Sequence, residues 1–211
     1  MYDFKNKTID EFMTELADKC SVPGGGGAAA LIAAAGAALS SMTANFTVGK
    51  EKYADVNDDM VYAIEKAGEL RERFLKMMDE DAEAFSLMSK VYRMPKTTDE
   101  EIDERSKAME EALKTCAAVP VSLMEACCEA IELSVMLSEK GSELLISDAG
   151  CSSAALGAAL RCAYLNVCIN TSSMRDRAYA EAISKRADEL LENGMKASEG
   201  AYEEVLSKLH G

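Results

Sequence analysis

The stretch 21-SVPGGGGAAALIAAAGAALSSMTANFTVG-49 carries no charged side chain, opens on four consecutive glycines and draws 18 of its 29 residues from Gly, Ala and Ser. About 20 apolar residues are enough to span a bilayer, so the run raises the membrane question. Its large apolar side chains (Leu31, Ile32, Leu39, Met42, Phe46) are sparse, however. Small residues at this density suit a buried helix that neighbouring backbones approach closely, or one that leaves space for a ligand beside it. The expectation is a buried helix and no membrane partner.

The pattern continues outward from this run. Thr8-Ile9-Asp10-Glu11 is a capping box that predicts a short first helix to about residue 19, after which Pro23 and the glycines reset the chain direction. Asp55 is placed to cap a long helix to about Tyr92, which Pro95 closes. Thr98-Asp99-Glu100-Glu101 is a second capping box, opening a charged helix to about Ala118; Pro120 starts another, which Gly141 ends. Asp148 precedes a second run poor in charge, 149–174, broken only by Arg161, and 176–209 reads as a last helix with a bend expected near Gly194. Period-two alternation is absent. The expectation is an all-α bundle of roughly seven helices forming one domain over 1–211, with two buried low-charge helices. Helices so featureless need protein on every side, which predicts a homo-oligomer.

A formal charge of −14, from 37 acidic and 23 basic residues, argues against a nucleic-acid partner and leaves an anionic ligand dependent on a local basic site. Seven cysteines show no C-x-x-C spacing and no signal peptide is recognisable, so reduced thiols in a cytoplasmic protein are expected. The only histidine, His210, stands next to the last residue. This speaks against a histidine-based catalytic triad and against a His-ligated zinc; no metal site is expected.

Candidate chemistry gathers at a few positions. Phe74, Met78, Asp81, Phe85, Met88 and Tyr92 are spaced 4, 3, 4, 3, 4, the spacing of one helical stripe, and Asp81 sits in its middle. A carboxylate on a core-facing stripe is costly unless paired or protonated, and desolvation raises its pKa toward the range useful in general acid/base work. A structural ion pair, or rotation toward water, is the competing reading. Asn166 and Asn170 share a helical face and are able to satisfy each other or to orient a heterocycle. Asp148 reads as an ordinary N-cap. Gly24, Gly25 and Gly26 open a helix whose exposed amides suit an anion, yet they fit neither a Walker motif nor a dinucleotide fingerprint, and a tight turn with close packing accounts for them equally. Lys50, Lys52 and Tyr53 end the uncharged run, where a cation also complements the helix dipole.

The pattern V-P-G-G-G-G-A-A-A-L-x-A-A-x-G-A-A-L, followed by M-T-A-N-F-T-x-G-K-E-K-Y-A-D-V, resembles the opening of the cyclodeaminase/cyclohydrolase family. That family comprises stand-alone methenyltetrahydrofolate cyclohydrolases and the C-terminal domain of formiminotransferase-cyclodeaminase. The likeness continues through Asp79-x-Asp81-x-x-Ala84-Phe85, Met94-Pro95-Lys96-Thr97, Val119-Pro120, Ile146-Ser147-Asp148 and Asn166-Val167-x-Ile169-Asn170, and so covers essentially the whole chain. It implies an all-helical homodimer acting on a one-carbon tetrahydrofolate without metal or redox cofactor. On this resemblance Asp81, Asp148 and Lys50 are the catalytic candidates. Gly24, Gly25, Gly26, Asn45, Tyr53, Lys96, Ser147, Asn166 and Asn170 are the substrate-binding ones. The absence of a formiminotransferase domain favours cyclohydrolysis of 5,10-methenyltetrahydrofolate; formiminotetrahydrofolate cyclodeamination and a non-catalytic folate-binding dimer stand as alternatives.

Overall fold

The computed structural model describes residues 2–211, and among them the regular elements are helices. These are α1 (Ile9–Ala17), α2 (Gly25–Asn45), α3 (Asn57–Tyr92), α4 (Asp99–Lys140), α5 (Ile146–Ser172) and α6 (Arg177–His210), with 3-10 turns at Phe4–Asn6, Glu51–Val56 and Glu143–Leu145. Both capping boxes form, Thr8 with Glu11 and Thr98 with Glu101, so the starts of α1 and α4 follow from local side-chain chemistry. Asp176 caps α6 by accepting from the Tyr179 N–H. Two expected caps do not form. Asp55 falls inside a 3-10 turn before α3, and Asp148 lies in the first turn of α5 rather than ahead of it.

Among the described residues the α-helices number six rather than the expected seven, because Pro120 lies inside a continuous α4. A proline there has no N–H to return to the carbonyl four residues back, and an interior proline ordinarily costs about 3 kcal/mol. The orphaned carbonyl is that of Cys116, and Asn170 Nδ2 on α5 donates to it at 3.1 Å. The same nitrogen donates to Asn166 O at 2.8 Å. A side chain from another helix thus replaces the missing backbone donor, which no local reading of α4 reveals.

α2 and α5 pack antiparallel, with Gly25 beside Asn166, Gly36 beside Leu156 and Ser40 hydrogen-bonded to Ser152 at 2.8 Å. A Cβ on Gly36 would stand 2.7 Å from Leu156 Cγ, so glycine is what lets the backbones meet. Ser152 spends its hydroxyl proton on Gly36 O at 2.8 Å, which makes Ser40 the donor in the serine pair. α3 lies against α2 and α4, α6 against α4 and α5, and Phe74, Leu70, Leu123, Met124, Ile131, Leu156 and Leu160 fill the space between them.

Gly25–Asn45 and Glu143–Ser172 are both long and apolar enough to cross a membrane by length and composition alone. Burial within the chain covers one side of each: Ala29, Ala30, Ala33 and Ala37 of α2, and Leu156, Ala159, Leu160 and Ala163 of α5, are essentially inaccessible. Within one chain the burial stops there, and the other side of each helix is uncovered. Ala35, Ala38 and Met42 on α2, Phe46 just past its end, and Cys151, Ala154, Ala158, Leu165 and Ile169 on α5 remain exposed.

Removing the donor to Cys116 should expose the cost of Pro120. Asn170→Ala is expected to destabilise the fold by about 1–3 kcal/mol, and Pro120→Ala, which restores a backbone N–H, should recover part of that loss in the double variant. Urea unfolding of the four proteins measures the coupling; strict additivity would remove this explanation of the continuous helix.

Candidate functional site

A cavity of about 280 Å³ opens where the start of α2 meets the middle of α3 and the end of α5. Its walls include Gly24, Gly25, Gly26, Asp81, Phe85, Met88, Tyr92, Asn166 and Asn170. The 4-3-4-3-4 stripe of α3 therefore splits by depth. Phe74 and Met78 are core, while Asp81, Phe85, Met88 and Tyr92 line the cavity.

Asp81 is half-buried, and its Oδ2 accepts from the Gly27 N–H at 3.1 Å. That amide is one of the first-turn donors of α2, which have no partner within their own helix. Burial pushes the Asp81 carboxyl above the usual carboxylate range, and the Gly27 bond opposes this without cancelling it. No ion pair to Asp81 occurs among the described residues, so the salt-bridge reading does not hold. The seat depends on glycine: a Cβ on Gly26 would overlap the Asp81 carboxyl group. Asp79, by contrast, accepts from the Phe4 N–H at 2.7 Å and ties down the first residues of the chain.

Asn166 and Asn170 both spend amide hydrogens on backbone carbonyls, Asn166 on Cys162 O at 2.8 Å. This fixes both side chains, and neither amide oxygen accepts a bond among the described residues. Two fixed acceptors beside a carboxylate match a heterocycle presenting N–H donors. Cys116, unremarked in the sequence, also lines the cavity; its thiol donates to Ala84 O at 3.3 Å. Burial, with the nearby Asp81 charge, raises that thiol to about 11, so it stays protonated and a poor nucleophile at neutral pH. Proline four residues after it was the one available sign that the Cys116 carbonyl needs an outside donor.

The other sequence candidates lie elsewhere. Nineteen residues of α2 separate Gly26 from Asn45, a rise of about 29 Å, and Lys50 and Tyr53 follow beyond that far end. Tyr53 Oη accepts from the Glu143 N–H at 3.1 Å, which with the neighbouring groups lowers its pKa. Lys52 pairs with Glu143 at 2.7 Å, and Thr47 Oγ1 accepts from the Ser142 N–H, joining this end to the start of α5 with Ser147 and Asp148. Lys50 is exposed and forms no ion pair among the described residues. Within one chain, Asp81, Asn166 and Asn170 come together; Lys50, Asn45, Tyr53, Ser147 and Asp148 belong to the opposite end. Lys96 lies outside both groups, on the connection after α3, and lines a second cavity.

A family model described as formiminotransferase-cyclodeaminase matches residues 8–189. The chain is 42% identical over 205 residues to a methenyltetrahydrofolate cyclohydrolase of Methylorubrum extorquens, covering 97% of this chain and 99% of that protein. It is 32% identical over 181 residues to the formimidoyltransferase-cyclodeaminase of Mus musculus, covering 86% of this chain and 34% of the mouse protein. It therefore spans about a third of that longer relative. A crystal structure of formiminotetrahydrofolate cyclodeaminase from Thermotoga maritima superposes with a TM-score of 0.81 at 28% identity, over 98% of both chains.

Two outcomes follow from the Asp81 seat. Gly26→Ala should displace the carboxylate and cost about 1–3 kcal/mol of stability, whereas Gly24→Ala, with no atom within 4 Å of its added Cβ, should leave the melting temperature near that of the parent. Because the folded pKa of Asp81 lies above its unfolded value, the folded state binds more protons between the two, and stability falls as pH rises through that window. Asp81→Asn should then melt at or above the parent at pH 7, with the gain vanishing below about pH 4. A lower melting temperature at pH 7 would show that the carboxylate is structurally required.

Proposed function

The chain belongs to the formiminotransferase-cyclodeaminase family, and on that premise we propose that it is a methenyltetrahydrofolate cyclohydrolase, converting 5,10-methenyltetrahydrofolate to 10-formyltetrahydrofolate. The observation that carries the choice within the family is the end-to-end match to a stand-alone cyclohydrolase. The site suits the chemistry. The methenyl carbon is already electrophilic, so the reaction needs a placed water, a proton acceptor and a way to return a proton to the departing nitrogen. Asp81 is the acid/base group in this reading. Its carboxylate takes a proton from the attacking water as the oxygen bonds to the methenyl carbon, giving a neutral hydroxyl adduct. Breaking the bond from that carbon to N5 then forms the formyl group on N10: the electron pair and the Asp81 proton go to N5, and the hydroxyl proton leaves to Asp81 or solvent. One proton is released overall. The cationic ring also favours ionised Asp81, offsetting the desolvation that raises its pKa in the free protein. Asn166 and Asn170 orient the pterin, and the glycine-opened end of α2 forms the wall against which it lies. No metal or redox cofactor takes part.

We further propose that the whole chain acts as one domain in a homodimer formed through the exposed uncharged face of α2. Support comes from Ala35, Ala38 and Met42 on that face, with Ala35 at the midpoint of the helix. With the two-fold axis perpendicular to α2, the two helices run antiparallel, an isologous arrangement. It brings the Lys50, Asn45 and Tyr53 end of one copy toward the Asp81 end of the other. Lys50 and Asp148 then assist the reaction from across the interface, which reconciles their family motif positions with about 29 Å of intervening helix.

Purified protein should discharge 5,10-methenyltetrahydrofolate, followed by loss of its absorbance, much faster than it releases ammonia from 5-formiminotetrahydrofolate. The reverse preference would establish the cyclodeaminase alternative, and binding without turnover the non-catalytic one. Asp81→Asn should lower kcat by about 10² to 10⁴ while retaining folate binding, and should abolish the fall of kcat/KM on the acid side. Light scattering should give a dimer of the 22.7 kDa chain, and Ala35→Glu should yield a folded monomer of low activity. A fully active monomer would refute the shared site.

A further inference from the structure

Pro120 is buried in the middle of α4, and Cys116, one turn before it, lines the cavity beside Asp81. A proline has no N–H, and its ring presses against the carbonyl four residues back, tilting that carbonyl off the helix axis. The carbonyl concerned, that of Cys116, accepts from Asn170 Nδ2 at 3.1 Å, and Asn166 O accepts from the same nitrogen at 2.8 Å. Both hydrogens of the Asn170 amide are thereby committed to carbonyl oxygens. Turning the amide over would set its oxygen against those same two carbonyls, acceptor against acceptor, so the surroundings favour one orientation. In that orientation Asn170 Oδ1, which accepts no bond among the described residues, is the polar atom of this side chain left for a ligand in the cavity that Asn170 lines.

Asn166 differs. Its amide is held by Cys162 O at 2.8 Å, within its own helix, and needs nothing from α4. Of the two cavity acceptors, only the one on Asn170 is set by another helix, and the residue responsible has no polar side chain and is not among those lining the cavity. Resting on the reading of Asn170 as a pterin-orienting residue, we propose that Pro120 is a positioning residue for the substrate: by withholding a backbone N–H it leaves the Cys116 carbonyl to hold the Asn170 amide, and so aims the amide oxygen at an N–H donor of the bound ring. An alanine at this position supplies the N–H and draws the Cys116 carbonyl back toward the helix axis. Asn170 then keeps one carbonyl partner, Asn166 O, about which its amide is free to turn. Helix and substrate thus compete for one carbonyl. Restoring the helical bond removes an interior proline, so stability and substrate binding move in opposite directions. A proline kept only for packing would lose both together.

The test uses the whole chain with 5,10-methenyltetrahydrofolate. It compares the parent with Pro120→Ala, Asn170→Ala, the double variant, and a protein carrying lactate, the α-hydroxy counterpart of alanine, at position 120, where an ester oxygen replaces the N–H. Pro120→Ala should melt at or above the parent while KM rises by about three- to tenfold and kcat stays within about threefold. Asn170→Ala should raise KM by at least as much, and adding Pro120→Ala to it should change KM no further, because Pro120 acts on the substrate through Asn170. The lactate protein, which lacks the N–H as proline does, should return KM most of the way to the parental value. Parental KM in Pro120→Ala, an undiminished Pro120→Ala effect in the Asn170→Ala background, a melting temperature of Pro120→Ala well below the parent, or a lactate protein that behaves like Pro120→Ala would each overturn the role of Pro120 and leave the cyclohydrolase reading intact. Parental KM in Asn170→Ala would overturn the roles of both residues. A parent protein that neither binds nor turns over the substrate would overturn the folate reading itself.

Discussion

The contact between Asp81 and the first turn of α2 is the constraint on which the site depends. A helix start leaves backbone N–H groups without intrahelical partners, and here one of them, on Gly27, serves a carboxylate from α3. The approach is so close that any side chain at position 26 would occupy the carboxyl's own space. Asp81 therefore sits against backbone instead of beside a cation, and its proton affinity is set mainly by desolvation. A lysine in Gly27's place would have pulled the pKa down and made the group an inert counter-ion. One backbone N–H only moderates the rise, leaving a carboxyl whose proton affinity stays above the usual carboxylate range.

The small residues of α2 and α5 serve the same end from a distance. Gly36 and the alanines let the two helices approach closely, and the Ser40, Ser152 and Gly36 hydrogen bonds lock their relative position. Asn166 and Asn170 lie near the far end of α5 and Gly26 at the start of α2, so a slip between the helices would move the two amides relative to the carboxylate. Close packing of stiff elements resists such slips because the interior has few voids to take them up. The uncharged composition that raises the membrane question thus also sets the precision of a polar site.

Much of this was legible in the sequence because it is local or periodic. The stripe from Phe74 to Tyr92 placed Asp81 among core-facing positions, the two capping boxes marked α1 and α4, and the uncharged run marked α2. What escaped was set by residues far apart in the chain. Pro120 reads as a helix start, and only the bond from Asn170, 54 residues from the Cys116 carbonyl, makes it an interior residue. Asp148 reads as a cap, but α5 begins two residues earlier, at Ile146, directly after a 3-10 turn. Arg105 and Arg175 carry no motif at all; their convergence on one cavity depends on how α4 meets the turn before α6. The motif residues near Lys50 were legible as a group with Asp81, yet a single chain separates them along the length of a helix.

The two cavities carry opposite charge. The first offers a carboxylate with no cation beside it, and the second offers cations whose one neighbouring carboxylate is already bound to backbone N–H groups. Neither set of charges is matched within the described residues, and an unmatched charge is unfavourable wherever water is partly excluded. In the proposed reaction the cationic methenyl ring matches the first of these charges, and hydrolysis, by neutralising the ring, weakens its attraction to the Asp81 carboxylate.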